Sequence, residues 1–330
     1  MKNSAEIFLR WGGSDSIYRY DLHDDFHGDH RFLISPYHGK TENWSIQSKE
    51  LVSDDYFNHS EINFKKPLEE PDAATHKNHA EYLGLVHQMV EAMNTSSLNK
   101  VVTARSEFVS CQVNPFVGFQ QLCTAYPQAH IYLLNHPDWG CWMGATPELL
   151  LKTEEDSLYT MSLAGTRSAG IKGDWGAKER LEQAYVTDFL KEKLQEHKVS
   201  KLSFSPLRTK SAGPIEHLCT DIEGDSSMVK DLVSLIDDLH PTPAVCGIPR
   251  DLAQDHLLKK EDLDRKLYSG FLGEWSHDLS NIAVNLRCLN FVSGGVTLWA
   301  GGGLTAESDA QAEWEETEKK MSTLRRVLSI

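Results

Sequence analysis

Gly144-Ala145-Thr146-Pro147-Glu148-Leu149-Leu150-Leu151, followed by Glu154-Glu155-Asp156 and then Leu158-Tyr159-Thr160-Met161, reads as a β-hairpin with a charged turn. The two apolar runs are too short for helices, and the turn between them is polar. The second strand leads into Ala164-Gly165-Thr166-Arg167. A carboxylate placed directly before three leucines has rigid apolar support, so Glu148 is a candidate buried acid. Gly165 and Thr166 lie near it if the hairpin pairs back.

Outward from this hairpin, residues 129–134 and 139–143 are further strand candidates joined by short turns. Strands that follow one another in this way pair antiparallel, because parallel pairing needs a long crossover. The expectation is an α+β fold, not a doubly wound one. Helical spacing marks residues 79–94 (Tyr82, Val86, Val90, Met93) and 177–197, with Leu181, Tyr185, Phe189 and Leu190/Leu194 inward. It also marks 227–239, with Met228, Leu232, Leu235, Ile236 and Leu239 inward, and 310–328, with Trp314, Thr317, Met321, Leu324 and Leu328 inward. Residues 115–126 have helical composition, and His240-Pro241-Thr242-Pro243 ends the 227–239 helix abruptly.

Further strands are expected around 7–11, 17–20, 31–36, 100–105, 202–204, 216–220, 282–287 and 296–300. The Asp/His-rich residues 21–30 lack regular ligand spacing and read as a solvated loop. Lys100, opening a β-branched strand, reads on its own as a solvent-facing edge charge. Residues 244–249 form an apolar loop bounded by prolines. Gly301-Gly302-Gly303 closes the last strand and lets the backbone approach a ligand. It makes neither a Gly-x-Gly-x-x-Gly fingerprint nor a Walker loop, which removes nucleotide binding as a first hypothesis.

The formal net charge of -15 over 330 residues argues against nucleic acid or an acidic membrane as partner. No apolar run approaches the roughly 20 residues of a membrane span. Met1-Lys2-Asn3-Ser4-Ala5-Glu6 lacks a signal-peptide core, so a cytoplasmic protein is expected. Six scattered cysteines without Cys-x-x-Cys read as reduced thiols. Glu179 and Glu182 share one helix face, while Glu313, Glu316 and Lys320 form a stripe on another. Two readings stay open. The ridges are solvated faces of an acidic protein, or they face each other across a hard divalent ion, Mg2+ and not zinc because no His or Cys joins the set.

Six ordered stretches carry a resemblance: Lys100-Val101-Val102, Gly144 through Leu150, Leu163-Ala164-Gly165-Thr166-Arg167, His240 through Gly247, Tyr268-Ser269-Gly270 and Glu313-Trp314-Glu315-Glu316-Thr317. Together they resemble the chorismate-utilising enzymes, most closely the isochorismate synthase branch. The resemblance implies a single anthranilate synthase component I-like domain, with large packed antiparallel sheets and helices outside. Residues 1–75 would be its variable start and 76–330 the catalytic region. It implies a small-molecule substrate, chorismate, a Mg2+ cofactor, and a monomer without an amidotransferase subunit.

By the same resemblance Lys100 activates water for attack at ring C2, and Glu148 protonates the departing C4 hydroxyl. Glu182 and Glu316 match metal ligands, with Glu179 and Glu313 close by. Arg287 and Tyr268 match groups holding a carboxylate; Gly165, Thr166, His217, Ala244, Gly301 and Lys320 match further substrate contacts. Lys100 favours water over ammonia as nucleophile, and Ala164 excludes the covalent lysine chemistry of the aminodeoxychorismate branch. Ala244 favours the isomerase over its nearest rival, salicylate synthase, which goes on to eliminate pyruvate. Gln183 departs from the histidine that commonly follows the first metal glutamate.

Overall fold

The structure is a computed structural model that describes residues 3–24, 29–72 and 76–330. Strands β1 (Ser4–Arg10), β2 (Ile17–His23), β3 (Arg31–Ser35) and β4 (Glu42–Val52) precede helices α1 (Asp54–His59) and α2 (His79–Thr95). Next come β5 (Lys100–Ser110), α3 (Pro115–Ala125), β6 (His130–His136), β7 (Gly140–Thr146), β8 (Leu149–Glu154), β9 (Ser157–Ser168) and α4 (Ala177–Glu196). They are followed by β10 (Ser200–Phe204), β11 (Arg208–Ala212), β12 (Ile215–Asp225), α5 (Leu232–Leu239), β13 (Gly247–Ile248) and α6 (Arg250–Lys260). The chain ends with β14 (Phe271–Trp275), β15 (Leu279–Val284), β16 (Cys288–Val292), β17 (Gly295–Leu304) and α7 (Ala310–Leu328).

Every pairing between these strands is antiparallel. Hydrogen bonds run unbroken from β10 and β11 through β12, β9, β8, β15, β14, β3, β4, β2, β1, β6, β7, β16, β17 and β5 to β13. The sheet packs on itself through Ile7, Tyr20, Phe32, Tyr132, Trp142 and Trp299. Helices α3 and α7 cover one region through Phe119, Leu122, Met321 and Leu324. Helices α4 and α5 cover another through Val186, Leu190, Leu235 and Ile236, and α2 and α6 a third through Val86, Met89 and Leu257. Each such side chain, moved fully out of water, contributes about 1.5 to 3 kcal/mol, so this α+β arrangement is a consequence of where the apolar stripes fall.

Several local expectations are corrected. The opening hairpin pairs only at its tip, Lys152 to Glu154 with Ser157 to Tyr159. Along their whole length β8 pairs instead with β15 and β9 with β12, because a buried strand must satisfy the N–H and C=O groups on both of its edges. On α4, Leu181 is exposed, and Glu182, Gln183 and Val186 take the inward face with Phe189 and Leu190. Helix α5 starts only at Leu232, where the Asp231 carboxylate caps the amides of Val233 and Ser234, and Met228 is exposed. Asp21 and His23 belong to β2 and not to a loop, and residues 25–28 of that stretch lie outside the described residues. The last strand runs further than expected, through Leu304, and the glycine triplet forms its closing residues. Strands β4, β11 and β16 and helix α6 carry too many polar or short stretches to be recognised from periodicity. Among the described residues no cysteine is disulfide-bonded, and no helix is long and apolar enough to cross a membrane.

Candidate active site

One cavity, open to solvent, gathers residues from both ends of the hydrogen-bonded sheet. Lys100, Glu148, Gly165, Thr166, Glu182, His217, Ala244, Tyr268, Arg287, Gly301, Glu316 and Lys320 all line it.

Lys100 is not an edge charge. It opens β5, which is flanked by β13 and β17, and is 1% exposed. The close approach needs Gly247, where a Cβ would stand 2.2 Å from the Lys100 carbonyl oxygen. Burial lowers the Lys100 pKa, against the pull of Glu182, whose Oε2 lies 3.6 Å from Nζ. Glu148, 3% exposed, sits in the turn before β8, with its carbonyl accepting from the Val284 amide at 3.1 Å. Burial pushes its carboxyl up to about 7, opposed by Lys210, Lys100, Arg287 and Lys320.

Gly165 is the extra residue of a β-bulge, since β12 pairs His217 with Thr166 and the next residue, Leu218, with Ala164. Its φ is +65°, and a Cβ there would meet the backbone of Glu179, so this position takes glycine. The bulge turns the Gly165 carbonyl to His217, whose Nδ1–H donates to it at 2.9 Å. His217 Nε2 accepts from Arg287 Nη2 at 2.7 Å. Burial, with Arg287 alongside, holds this histidine well below its ordinary pKa and therefore neutral. Arg287 is buried and held at a φ of 49°, outside the usual range for a side chain of this size. Desolvation brings its pKa down to about 10, which leaves a charged fork in the cavity for an anion.

The acidic ridges are not solvated faces. Glu182 and Glu313 are buried, where α4 and α7 meet the end of β17. The glycine triplet makes room for them: a Cβ on Gly302 would stand 3.2 Å from Glu313 Oε2, and one on Gly303 2.8 Å from Glu182 Oε2. Lys178 Nζ donates to Glu313 Oε1 at 2.6 Å and stands 3.9 Å from Glu182 Oε1. Lys320 Nζ donates to Glu316 Oε1 and to the Gly301 carbonyl, both at 2.7 Å. Burial raises the pKa of Glu182 and of Glu313, whereas at Glu316 burial is outweighed by Lys320 and the pKa falls.

The donor set fits a hard cation in kind. All donors are carboxylate oxygens, and Glu313 Oε2 is buried with no hydrogen-bond partner. Among the described residues no three acidic, histidine or cysteine side chains already converge as ligands; Lys178 supplies the positive charge instead. Glu179 does not line the cavity. It packs on Gly165 and brings its carboxylate to Gly176 at the start of its own helix.

Residues 31–329 match the family model described as "Chorismate binding enzyme". The chain belongs to the chorismate-binding enzymes. It is 29% identical over 250 residues to isochorismate synthase EntC of Escherichia coli (strain K12), a match covering 72% of this chain and 64% of that protein. The chain thus spans less than two thirds of that relative's length. Its fold is similar to that of MenF, the menaquinone-specific isochorismate synthase from Escherichia coli, with a TM-score of 0.79 at 19% identity, covering 98% of this chain and 88% of the other. It is also similar to anthranilate synthase component I from Streptococcus pneumoniae TIGR4, with a TM-score of 0.70 at 15% identity, covering 97% and 92%.

For this chorismate-binding enzyme the structure adds side chains that the motifs leave out. Lys178 lies four residues before Glu182 on the same helix face, a spacing visible in the sequence. Lys210 lies on β11, a strand without apolar alternation, and nothing in its neighbourhood signals a site. Gln183 takes the position next to Glu182 and ties α4 to β9 by donating to the Ser162 carbonyl and hydroxyl at 3.0 and 2.8 Å.

Proposed function

We propose that this protein is an isochorismate synthase that converts chorismate to isochorismate reversibly, with Mg2+ as cofactor. The observation that carries the reading is the opposed pair in one cavity: a lysine that burial drives towards its neutral form and a glutamate that burial drives towards its protonated form. Those are the directions in which a general base and a general acid must shift to work near neutral pH.

Neutral Lys100 takes a proton from water as the water oxygen bonds to ring C2. The ring double bond shifts, the C4–O bond breaks, and Glu148 gives its proton to the departing hydroxyl, which leaves as water. One water enters and one leaves, so product and substrate are isomers, and the return direction exchanges the two roles. Arg287 holds a substrate carboxylate with its fork. Neutral His217 orients Arg287 and lines the ring. Ala164 offers no amine for a covalent intermediate. Glu182, Glu313 and Glu316 would hold Mg2+, which when bound supplies positive charge for a substrate carboxylate in a protein of net charge -15. The deciding experiment is incubation with chorismate and Mg2+ followed by chromatography. Isochorismate is expected, salicylate with pyruvate would indicate the lyase instead, and unchanged chorismate would overturn the reading.

A further inference from the structure

Cross-strand register places Lys210 on β11 opposite His217 on β12, and His217 opposite Thr166 on β9. Directly paired residues share a sheet face, so these three form one row. Its inner two members line the cavity. Lys210 Nζ donates to the Pro147 carbonyl oxygen at 2.7 Å, on the residue immediately before Glu148, and lies 3.3 Å from Met161 Sδ. No acidic side chain is among these contacts, so the ammonium is spent on the turn that carries Glu148.

We infer that Lys210 is a positioning residue for Glu148: it anchors the Pro147-Glu148 turn through the Pro147 carbonyl and brings a positive charge to the turn that carries the carboxyl. The assignment of Glu148 as acid rests on the proposed function; the anchoring and the charge effect do not. Cations from four separate segments act on the Glu148 carboxyl: Lys210 from β11, Lys100 from β5, Arg287 from the segment between β15 and β16, and Lys320 from α7. Lys210 is the strongest of them. The other three line the cavity already described, whereas Lys210 lies outside that lining and reaches the turn through the Pro147 carbonyl. A carboxyl buried without such a neighbour would hold its proton too tightly to give it up.

The test is infrared titration of the Glu148 carboxyl stretch without substrate, using E148Q as the blank, in the parent protein and in K210M, K210Q and K210R. A parent midpoint near 7 should rise by about one pH unit in K210M and K210Q and stay in place in K210R. K210Q keeps a donor for the Pro147 carbonyl, so it separates charge from anchoring and guards against misfolding of K210M. A midpoint unchanged in both neutral variants would overturn the inference. The high-pH limb of kcat with chorismate and Mg2+ is then followed in the same variants. If the carboxyl midpoint moves and the limb does not, Lys210 tunes Glu148 as inferred, and the assignment of Glu148 as acid fails.

Discussion

Lys100 Nζ lies 3.6 Å from Glu182 Oε2, with Lys100 1% exposed. The proposed base and a proposed cation ligand are therefore one electrostatic unit, and neither can be altered without changing the charge balance of the other. Lys100→Ala should lower kcat by about 10²- to 10⁴-fold while substrate binding stays measurable by calorimetry. A near-normal rate would exclude Lys100 as the base.

Glu148→Gln should remove turnover to a similar degree and, above neutral pH, stabilise the fold. The folded carboxyl has its pKa raised from 4.5 to about 7, so the protonated form is the one favoured by folding. That contribution is complete below pH 4.5 and is lost as pH rises to about 7. Between pH 5 and pH 8 the stability of the Gln variant relative to the parent should increase by about 2 to 3 kcal/mol, read from denaturant unfolding at the two pH values.

The same shift sets the sign of the pH profile. The forward reaction needs Glu148 protonated, so kcat at saturating chorismate and Mg2+ should fall as pH rises through about 7. A rate that climbs steadily from pH 6 to 9 would contradict the acid assignment.

Gly303→Ala introduces a Cβ 2.8 Å from Glu182 Oε2 and 3.3 Å from Lys100 Cε. Displacing both groups should cost at least about tenfold in kcat, with the circular dichroism spectrum of the folded protein retained. An unchanged rate would mean that the pair is not held where catalysis needs it.

Glu316→Ala removes one of the proposed cation donors and the partner of Lys320. The Mg2+ concentration giving half-maximal activity should rise at least about tenfold, with little change in the melting temperature measured without metal. Lys178→Met should do the reverse in part: it strips Glu313 of its counter-charge, lowers the metal-free melting temperature, and leaves a larger rise on addition of Mg2+.

Much of the fold was legible because period and turn chemistry are local. Helices α2, α3, α4 and α7 and the strands around the hairpin lie close to where their patterns place them. Errors came where a neighbour overrode the pattern. Leu181 belongs to the expected stripe of α4, yet the helix turns Glu182 and Gln183 inward, because the end of β17 is built from glycines that leave space for a carboxylate. Lys100 reads as an edge charge until β13 and β17 are known to lie on either side of it.

The sequence alone determined which chemical groups are present and in what order. Those ordered motifs suffice for membership of the chorismate-binding enzymes, because side-chain identity along the chain is all a motif contains. Tertiary structure decided protonation and alignment. Burial of Lys100 and Glu148 in one cavity, the choice of Glu182 over Glu179 as its lining carboxylate, the pairing of Lys178 with Glu313 and the arrival of Lys210 all depend on segments distant in sequence. Desolvation and charge proximity are properties of the packed sheet and helices, and no spacing along the chain encodes them.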